Sequence, residues 1–244
     1  MNDTELARQI AETTGRLLID LRQSGLFAGK ALGKLGDQLA NAFIMQALRA
    51  HRPQDAILSE EETDSPARLS AHRVWIVDPL DGTREYGEAR ADWGVHVALA
   101  VDGVATLGAV ALPGLPLTLS SGDAPARPHH AGRLRLVVSR TRPAAEAAAV
   151  AKALGAELIS MGSAGAKIMA VVRGEADIYL HSGGQYQWDS CAPVAIAQAA
   201  GLHVSRLDGS PLRYNQPDTY LPDLLVCLKE YAARVIELAA LRPA

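Results

Sequence analysis

Cysteine is scarce in this chain, which holds only Cys191 and Cys227 among its 244 residues. Two cysteines so far apart are too few for a structural zinc site or for the disulfide framework of a small secreted protein. The scarcity therefore predicts a protein of the reducing cytoplasm.

Dense positive charge, long apolar segments and internal repeats are also missing. The formal net charge is −3, and no run of Lys and Arg forms the basic stripe that binds long nucleic acids. The N-terminal segment spaces its apolar side chains as a helix does and interrupts them with charges, so it resembles neither a signal peptide nor a membrane span. We expect small anionic ligands, no nucleic-acid polymer and no membrane as partners, and a monomer or homodimer.

The residues that are present indicate a globular protein with a large core, since 48% are hydrophobic and 21% charged. Helical periodicity predicts helices at 4–24 and 37–50. Short runs rich in Val, Ile and Leu predict strands at 56–61, 73–78, 93–101 and 104–112. Asp102-Gly103 joins the last two runs and predicts a hairpin.

A segment of small residues, prolines and charges at 120–132 predicts a boundary in the chain. Beyond it, predicted strands alternate with predicted helices, in the order 133–139, 143–154, 176–181, 188–200 and 224–228. This alternation is typical of α/β proteins. We expect an N-terminal α+β lobe at 1–130 and a C-terminal α/β lobe at 131–244, with the functional site between them.

The densest chemical pattern is the stretch WIVDPLDGTREYGE at 75–88. It predicts a strand that ends at Asp78, followed three residues later by a second carboxylate, Asp81. The turn between them can also present the carbonyl oxygen of Leu80. Carboxylate and carbonyl oxygens are the ligands that Mg²⁺ prefers, so the stretch predicts a metal site.

The two residues after this turn, Gly82 and Thr83, begin a new segment. Free backbone N–H groups at the start of a helix can hold a phosphate group. One short stretch of sequence therefore predicts both a metal site and a phosphate site.

Two further acidic features occupy similar positions: Glu60–Glu62 follow an apolar run, and Asp189 begins an apolar helix. Each has an ordinary interpretation, because DPLDG forms tight turns, glutamate runs face solvent, and aspartate commonly caps helices. Taken together, they favour a carboxylate cluster that holds two Mg²⁺, since α/β proteins build sites at strand ends and helix starts.

A rival interpretation is the covalent aspartyl phosphatase pattern, in which a strand ends in Asp-x-Asp-Gly-Thr and its first Asp is the nucleophile. Two residues, rather than one, separate Asp78 from Asp81. Alternating side-chain directions along a strand would then point the two acids apart. We therefore expect a metal-activated water as the nucleophile rather than a phospho-aspartate.

Four motifs in order closely resemble the inositol monophosphatase superfamily of lithium-sensitive sugar phosphatases: SEE at 59–61, DPLDGT at 78–83, GSAGAK at 162–167 and WDSCAP at 188–193. The resemblance covers nearly the whole chain. The segments GDQLAN, SAGAKIMAVVRGEADIYLH and LDGSPLRYNQPDTYLPDLL are most similar to actinobacterial CysQ-type 3′(2′),5′-bisphosphate nucleotidases. It implies the layered αβαβα sugar-phosphatase fold, an α/β (α+β) class, and hydrolysis of 3′-phosphoadenosine 5′-phosphate (PAP) to AMP and phosphate.

The resemblance also implies roles for individual residues. The metal ligands for two, and up to three, Mg²⁺ are Glu60, Asp78, the Leu80 carbonyl, Asp81 and Asp189. The catalytic residues are Asp37 and Thr83, which orient and deprotonate the attacking water, and Glu60, which lies within reach of it. The substrate contacts are Glu60, Leu80, Asp81, Gly82, Thr83, Ser163, Lys167, His181 and Asp189.

The second phosphate of PAP distinguishes it from inositol 1-phosphate, and Lys167, with His181 or Arg213, is expected to neutralise it. His181 departs from the Arg or Glu that relatives carry near this place, and a lone histidine can also be an ordinary strand-end residue. Other substrates left open are the sulfated form of PAP (PAPS), inositol 1-phosphate and fructose 1,6-bisphosphate. A non-catalytic nucleotide sensor is the alternative outside enzymes.

Overall fold

The structure is a computed structural model that describes residues 1–126, 128–129 and 132–241. It contains two five-stranded sheets. The first has the spatial order β1 (Ala56–Ser59), β2 (Arg73–Asp81), β3 (Gly94–Val101), β4 (Val104–Leu112) and β5 (Leu117–Ser120). Strands β1 and β2 are parallel, and the other pairs are antiparallel. The predicted hairpin at Asp102-Gly103 is confirmed, and both residues have positive φ, 50° and 75°.

The second sheet lies later in the chain. Its strands are β6 (Arg135–Ser139), β7 (Glu157–Met161), β8 (Ile178–Tyr186), β9 (His203–Ser205) and β10 (Tyr220–Cys227). The spatial order is β7-β6-β8-β10-β9, with β6 parallel to β7 and β8 and with β10 antiparallel to its neighbours. The first sheet ends at Ser120, the first residue of the predicted boundary segment, and the second begins after that segment, at Arg135. The boundary itself, between residues 130 and 131, lies outside the described residues.

Seven helices of the described residues cover the two sheets. They are α1 (Asp3–Gln23), α2 (Gly29–His51), α3 (Thr83–Gly87), α4 (Ala145–Leu154), α5 (Ala164–Val172), α6 (Gln187–Ala199) and α7 (Lys229–Ala240). Helices α1 and α2 pack on the outer face of the first sheet, α5 and α6 lie between the sheets, and α4 and α7 pack on the outer face of the second. This confirms the layered αβαβα architecture.

Strand β2 shows why the sheets are covered on both faces. Its Trp75 and Val77 face the α1/α2 layer, and its Val74 and Ile76 face the α5/α6 layer. The continuous apolar run from Val74 to Val77 has to be buried on both sides. The hydrophobic effect therefore requires a layer of helices on each face of the first sheet.

Helix α2 begins at Gly29 rather than at the predicted residue 37. Its glycines have low helical propensity, which hides the first two turns from sequence periodicity. They are needed because α2 packs closely on α3: a Cβ at Gly33 would come 2.8 Å from the Thr83 side chain, and one at Gly36 would come 2.9 Å from Tyr86. No described helix is long and apolar enough to cross a membrane.

Candidate active site

The carboxylates of Asp78 and Asp81 lie at the C-terminal end of β2, where the strand is bulged. Asp78 pairs with His96 of β3 and Asp81 pairs with Gly94, so β2 carries one more residue than β3 over this interval. The extra residue shifts the alternation of side-chain directions by one position, so the carboxylates of Asp78 and Asp81 lie on the same side of the strand. The expectation that their spacing points the two acids apart is therefore wrong, and that argument does not exclude a phospho-aspartate.

A third carboxylate, Asp189, reaches this place from the first turn of α6. One ligand oxygen from each of Asp78, Asp81 and Asp189 lies within 4.8 Å of the others. The Asp189 carboxylate also accepts a hydrogen bond from the Tyr186 N–H at 2.6 Å. Asp189 is therefore not the N-cap of α6, which is Tyr186, but the third residue of the helix, and its carboxylate both accepts from the N-cap N–H and joins the acidic cluster.

Burial and mutual repulsion perturb these acids. Burial, and then Glu60 and Asp81, raise the pKa of Asp78 well above its usual value. Burial, and then Asp81, raise the pKa of Asp189 to about 6. Burial acts to raise the pKa of Asp81 as well, but His96 overcomes it and the pKa is lowered. A buried cluster of like charges is stabilised when a cation is bound.

Glu60 lies at the open side of this cluster and outside the three-carboxylate group. Its N–H donates to the Val77 carbonyl at 3.3 Å, which fixes the end of β1 beside β2. The residue as a whole is exposed, while its carboxyl group lies beside Asp78. Burial of that carboxyl group, and then Asp189 and Asp37, raise its pKa to about 7.

Thr83 and Asp37 come together as the sequence led us to expect. The Thr83 hydroxyl is 3.2 Å from Asp37 Oδ1 and 3.1 Å from the Leu80 carbonyl oxygen. Burial, and then Glu61, raise the pKa of Asp37 to about 7. A hydroxyl that faces a carboxyl group with a pKa near neutrality forms a pair able to move a proton at neutral pH.

The N-terminus of α5 holds Asp81. The N–H groups of Ala164 and Gly165 donate to its two carboxylate oxygens at 3.1 and 2.6 Å. Ser163 is buried and accepts from the Ala166 N–H at 2.9 Å, so its hydroxyl serves as the helix cap. GSAGAK therefore positions a carboxylate, a role that sequence reasoning did not foresee.

His96 is a site residue that sequence reasoning missed. It is fully buried, its Nε2 is 3.1 Å from Asp81 Oδ2, and its Nδ1 is 3.2 Å from the Trp188 carbonyl oxygen. A Cβ at Gly165 would come 2.0 Å from this Nε2, so only glycine fits there. The sequence did contain a sign of this role: His96 stands inside the apolar run of β3, where burying a polar group without a hydrogen-bond partner would be costly.

A cleft of about 540 Å³ lies beside the acidic cluster, and Asp81, Asp189, Lys167, His181 and Arg142 are among the residues that line it. Lys167 is buried, and its ammonium group donates to the carbonyl oxygens of Gly162 and Ser163. Burial lowers the pKa of Lys167 to about 8. The Lys167 ammonium group therefore already has hydrogen-bond partners in the backbone.

His181 also faces this cleft, but as a neutral side chain. Burial, and then Lys167, lower its pKa to about 4, and its Nε2 donates to the Gly183 carbonyl at 2.7 Å. The contact of His181 with a phosphate group of the substrate stays a prediction. Arg213 is exposed and is not among the residues that line the cleft.

Arg142 is the cation that sequence reasoning overlooked. Its guanidinium group makes no hydrogen bond or ion pair to any residue that the structure describes, whereas Arg140 pairs with Glu85 at 2.7 Å. A Cβ at Gly184 would come 2.6 Å from Arg142 Nη1, so glycine leaves room for the guanidinium. Both arginines belong to the run SRTR, and only the fold separates their roles.

Comparison with known proteins agrees with this geometry. The chain is 48% identical to a 3′-phosphoadenosine 5′-phosphate phosphatase of Mycobacterium leprae, over 95% of this chain and 91% of that protein. It is 50% identical to the protein of the same name from Mycobacterium tuberculosis, over 89% and 86%. The crystal structure of CysQ from Bacteroides thetaiotaomicron, 26% identical, superposes with a TM-score of 0.80 over 93% and 97%. Because the inositol monophosphatase family profile matches residues 34–240, the chain belongs to the inositol monophosphatase family.

Proposed function

We propose that this protein is a Mg²⁺-dependent phosphatase that hydrolyses PAP to AMP and phosphate. The observation that carries the proposal is the buried cluster of Asp78, Asp81 and Asp189 at the edge of a cleft that also contains a free guanidinium group. The names of the mycobacterial relatives support the choice of substrate. Free, buried Cys191 and Cys227 fit a cytoplasmic enzyme.

The donor set fits Mg²⁺. Asp78, Asp81 and Asp189, with Glu60 and the Leu80 carbonyl beside them, offer only hard oxygen atoms, and the raised pKa values of Asp78, Glu60 and Asp189 indicate that positive charge is lacking there. Bound at this place, two Mg²⁺ supply activation of water and offset the charge of the phosphate oxygens. A third ion is part of the proposal only as a further, weaker site.

The protein's own groups orient the reactants. The backbone N–H groups of Gly82 and Thr83 hold the 3′-phosphate, and Gly82, in the left-handed region at φ 87°, turns the chain so that they can do so. The water oxygen forms a bond to phosphorus while the bond to the ribose 3′-oxygen breaks, and this oxygen takes up a proton from solvent to become the 3′-hydroxyl of AMP. The water proton passes through the Thr83 hydroxyl to Asp37.

Arg142 favours a bisphosphate over a monophosphate. A free guanidinium group at the cleft can form charge-assisted hydrogen bonds with the 5′-phosphate of PAP. Inositol 1-phosphate has no group to place there. PAPS also presents a 3′-phosphate, and its longer 5′ group still carries a phosphate.

Phosphate release from PAP, inositol 1-phosphate and fructose 1,6-bisphosphate, each with and without Mg²⁺, tests the proposal. We expect Mg²⁺-dependent release with the highest kcat/KM for PAP. Equal or better use of inositol 1-phosphate would contradict the substrate. Binding of PAP without release of phosphate would instead favour the nucleotide sensor.

A further inference from the structure

Three aromatic side chains cluster next to residues that line the cleft and take no part in the proposed chemistry. The rings of Tyr186 and Trp188 are nearly parallel, at 9° with centroids 5.0 Å apart, and Tyr220 meets Tyr186 edge-on at 5.9 Å. Tyr186 and Tyr220 are 42% and 40% exposed. Trp188 is half-buried and stacks on Tyr186, so the exposed ring of Tyr186 offers a flat apolar surface on which a planar ligand can stack.

This cluster is attached to residues that line the cleft. The Tyr186 N–H donates to the Asp189 carboxylate at 2.6 Å, and the Gly184 N–H donates to the Tyr220 hydroxyl at 3.1 Å. Asp189 and Gly184 both line the cleft. The aromatic surface therefore keeps a fixed position next to the acidic cluster.

The cap of helix α6 does not call for a tyrosine at position 186. The residue is the N-cap of α6, where Ser, Thr, Asp and Asn are preferred, and its side chain makes no cap hydrogen bond. The cap is supplied instead by the Asp189 carboxylate. An aromatic ring that is exposed and unnecessary for the helix is available for a ligand.

We propose that Tyr186, supported by Trp188 and Tyr220, is the stacking surface for the nucleobase of the substrate. The proposal rests on the proposed function, since it assigns a place to the part of a nucleotide that the phosphate contacts leave unrecognised. Stacking on one aromatic ring changes nucleic-acid affinity by about tenfold to hundredfold per base. Every base has a π-face, so this surface separates nucleotides from inositol and sugar phosphates but does not distinguish adenine from guanine.

The first arm of the test compares kcat/KM for PAP with that for ribose 3,5-bisphosphate, which lacks a base. Tyr186→Ala and Tyr186→Leu are expected to lower the value for PAP by about tenfold to hundredfold and to leave the base-free substrate within twofold. Tyr186→Phe keeps the ring and is expected to restore the wild-type ratio. The control is Val104→Ala, which removes a 45% exposed apolar side chain at the Val101–Val104 hairpin, the end of β3 opposite to Gly94 and Asp81. Equal losses on both substrates would overturn the proposal.

The second arm separates this proposal from the proposed function by measuring AMP binding through calorimetry, without turnover. Weaker AMP binding by Tyr186→Ala and Tyr186→Leu, with wild-type binding by Tyr186→Phe, supports stacking even if PAP proves not to be the substrate. AMP binding that is unchanged in Tyr186→Ala, or absent from the wild type, overturns stacking even if PAP is hydrolysed. Thermal unfolding of each variant verifies that it is folded.

Discussion

Two buried charged clusters of this protein differ in how fully their charges are matched. Arg68, whose side chain is 2% exposed, donates to both oxygens of Asp64, at 2.7 and 2.9 Å, and to Asn215 Oδ1 at 2.8 Å. At the acidic cluster, Asp78 and Asp189 instead face further carboxylates, and both have raised pKa values. The first cluster is complete within the protein, whereas the second needs a cation.

This difference in pairing separates charged residues that stabilise the fold from charged residues that are placed to bind a ligand. The Arg68 cluster ties the short 3-10 turn Pro66–Ser70 to the segment around Asn215, so its hydrogen bonds stabilise the fold. The acidic cluster brings like charges together in a buried place, which costs stability unless a cation offsets them. Substitutions in the two clusters should therefore have opposite consequences for activity and stability.

The largest expected effect is on activity at the acidic cluster. Asp78→Asn removes a ligand charge from its centre, and we expect kcat for PAP at saturating Mg²⁺ to fall by roughly a thousandfold or more, about 4 kcal/mol. Steady-state phosphate release measures this. Near wild-type activity would remove Asp78 from the metal site, and far-UV circular dichroism verifies that the fold is retained.

Arg68→Ala should have the opposite effect. Removing the buried guanidinium takes away the hydrogen bonds to Asn215 Oδ1 and to the Gln216 carbonyl, while the 41% exposed Asp64 can be rehydrated. We expect the free energy of unfolding to fall by about 2 kcal/mol and kcat/KM per folded molecule to stay within about threefold. Urea unfolding measures the first quantity. A loss of activity without a loss of stability would contradict the structural role.

Arg142 and Arg140, two residues apart in one turn, also differ in whether their charge is paired within the protein. Arg142→Ala removes the free cation of the cleft, and we expect kcat/KM for PAP to fall by about tenfold to hundredfold with little change for inositol 1-phosphate. Arg140→Ala removes a cation that is paired with Glu85 and Glu88 and should leave the ratio of the two substrates unchanged. If Arg140→Ala changed the ratio and Arg142→Ala did not, the second-phosphate assignment would be wrong.

The smallest effect concerns His181. Because burial lowers its pKa from 6.5 to about 4, unfolding takes up a proton between these values, and the stability it contributes is lost as pH falls. From pH 6.5 to 5.5 this lowers the free energy of unfolding by about 1 kcal/mol, a slope that His181→Gln should remove. Urea unfolding at the two pH values measures it. An identical slope in wild type and variant would mean that the pKa is not lowered.

The sequence allowed prediction of the parts of the site that are local. Asp78, Asp81 and Thr83 share one motif, and their grouping with Asp189 and Asp37 followed from resemblance and from their place at strand ends and helix starts. The bulge that turns Asp78 and Asp81 to one side depends on how β2 pairs with β3. This pairing cannot be predicted from the sequence of β2 alone.

Residues whose role depends on their partners could not be predicted. Lys167 and His181 seemed to be free cations in sequence, but the structure buries both and lowers both pKa values. His96 and Arg142 gained their roles only through elements distant in the chain, α5 and the turn at Gly184. Charge type is visible in sequence, while burial and pairing are properties of the fold.

The most direct test of the account is the free energy of unfolding of wild type and Asp78→Asn, each with a metal chelator and with Mg²⁺. Without metal, we expect Asp78→Asn to equal or exceed the wild type, because it relieves repulsion among buried carboxylates. Mg²⁺ should stabilise the wild type and have a much smaller effect on the variant. A wild type indifferent to Mg²⁺, with an Asp78→Asn variant that is destabilised without metal, would contradict the account, because the acidic cluster would then be part of the protein's structural framework.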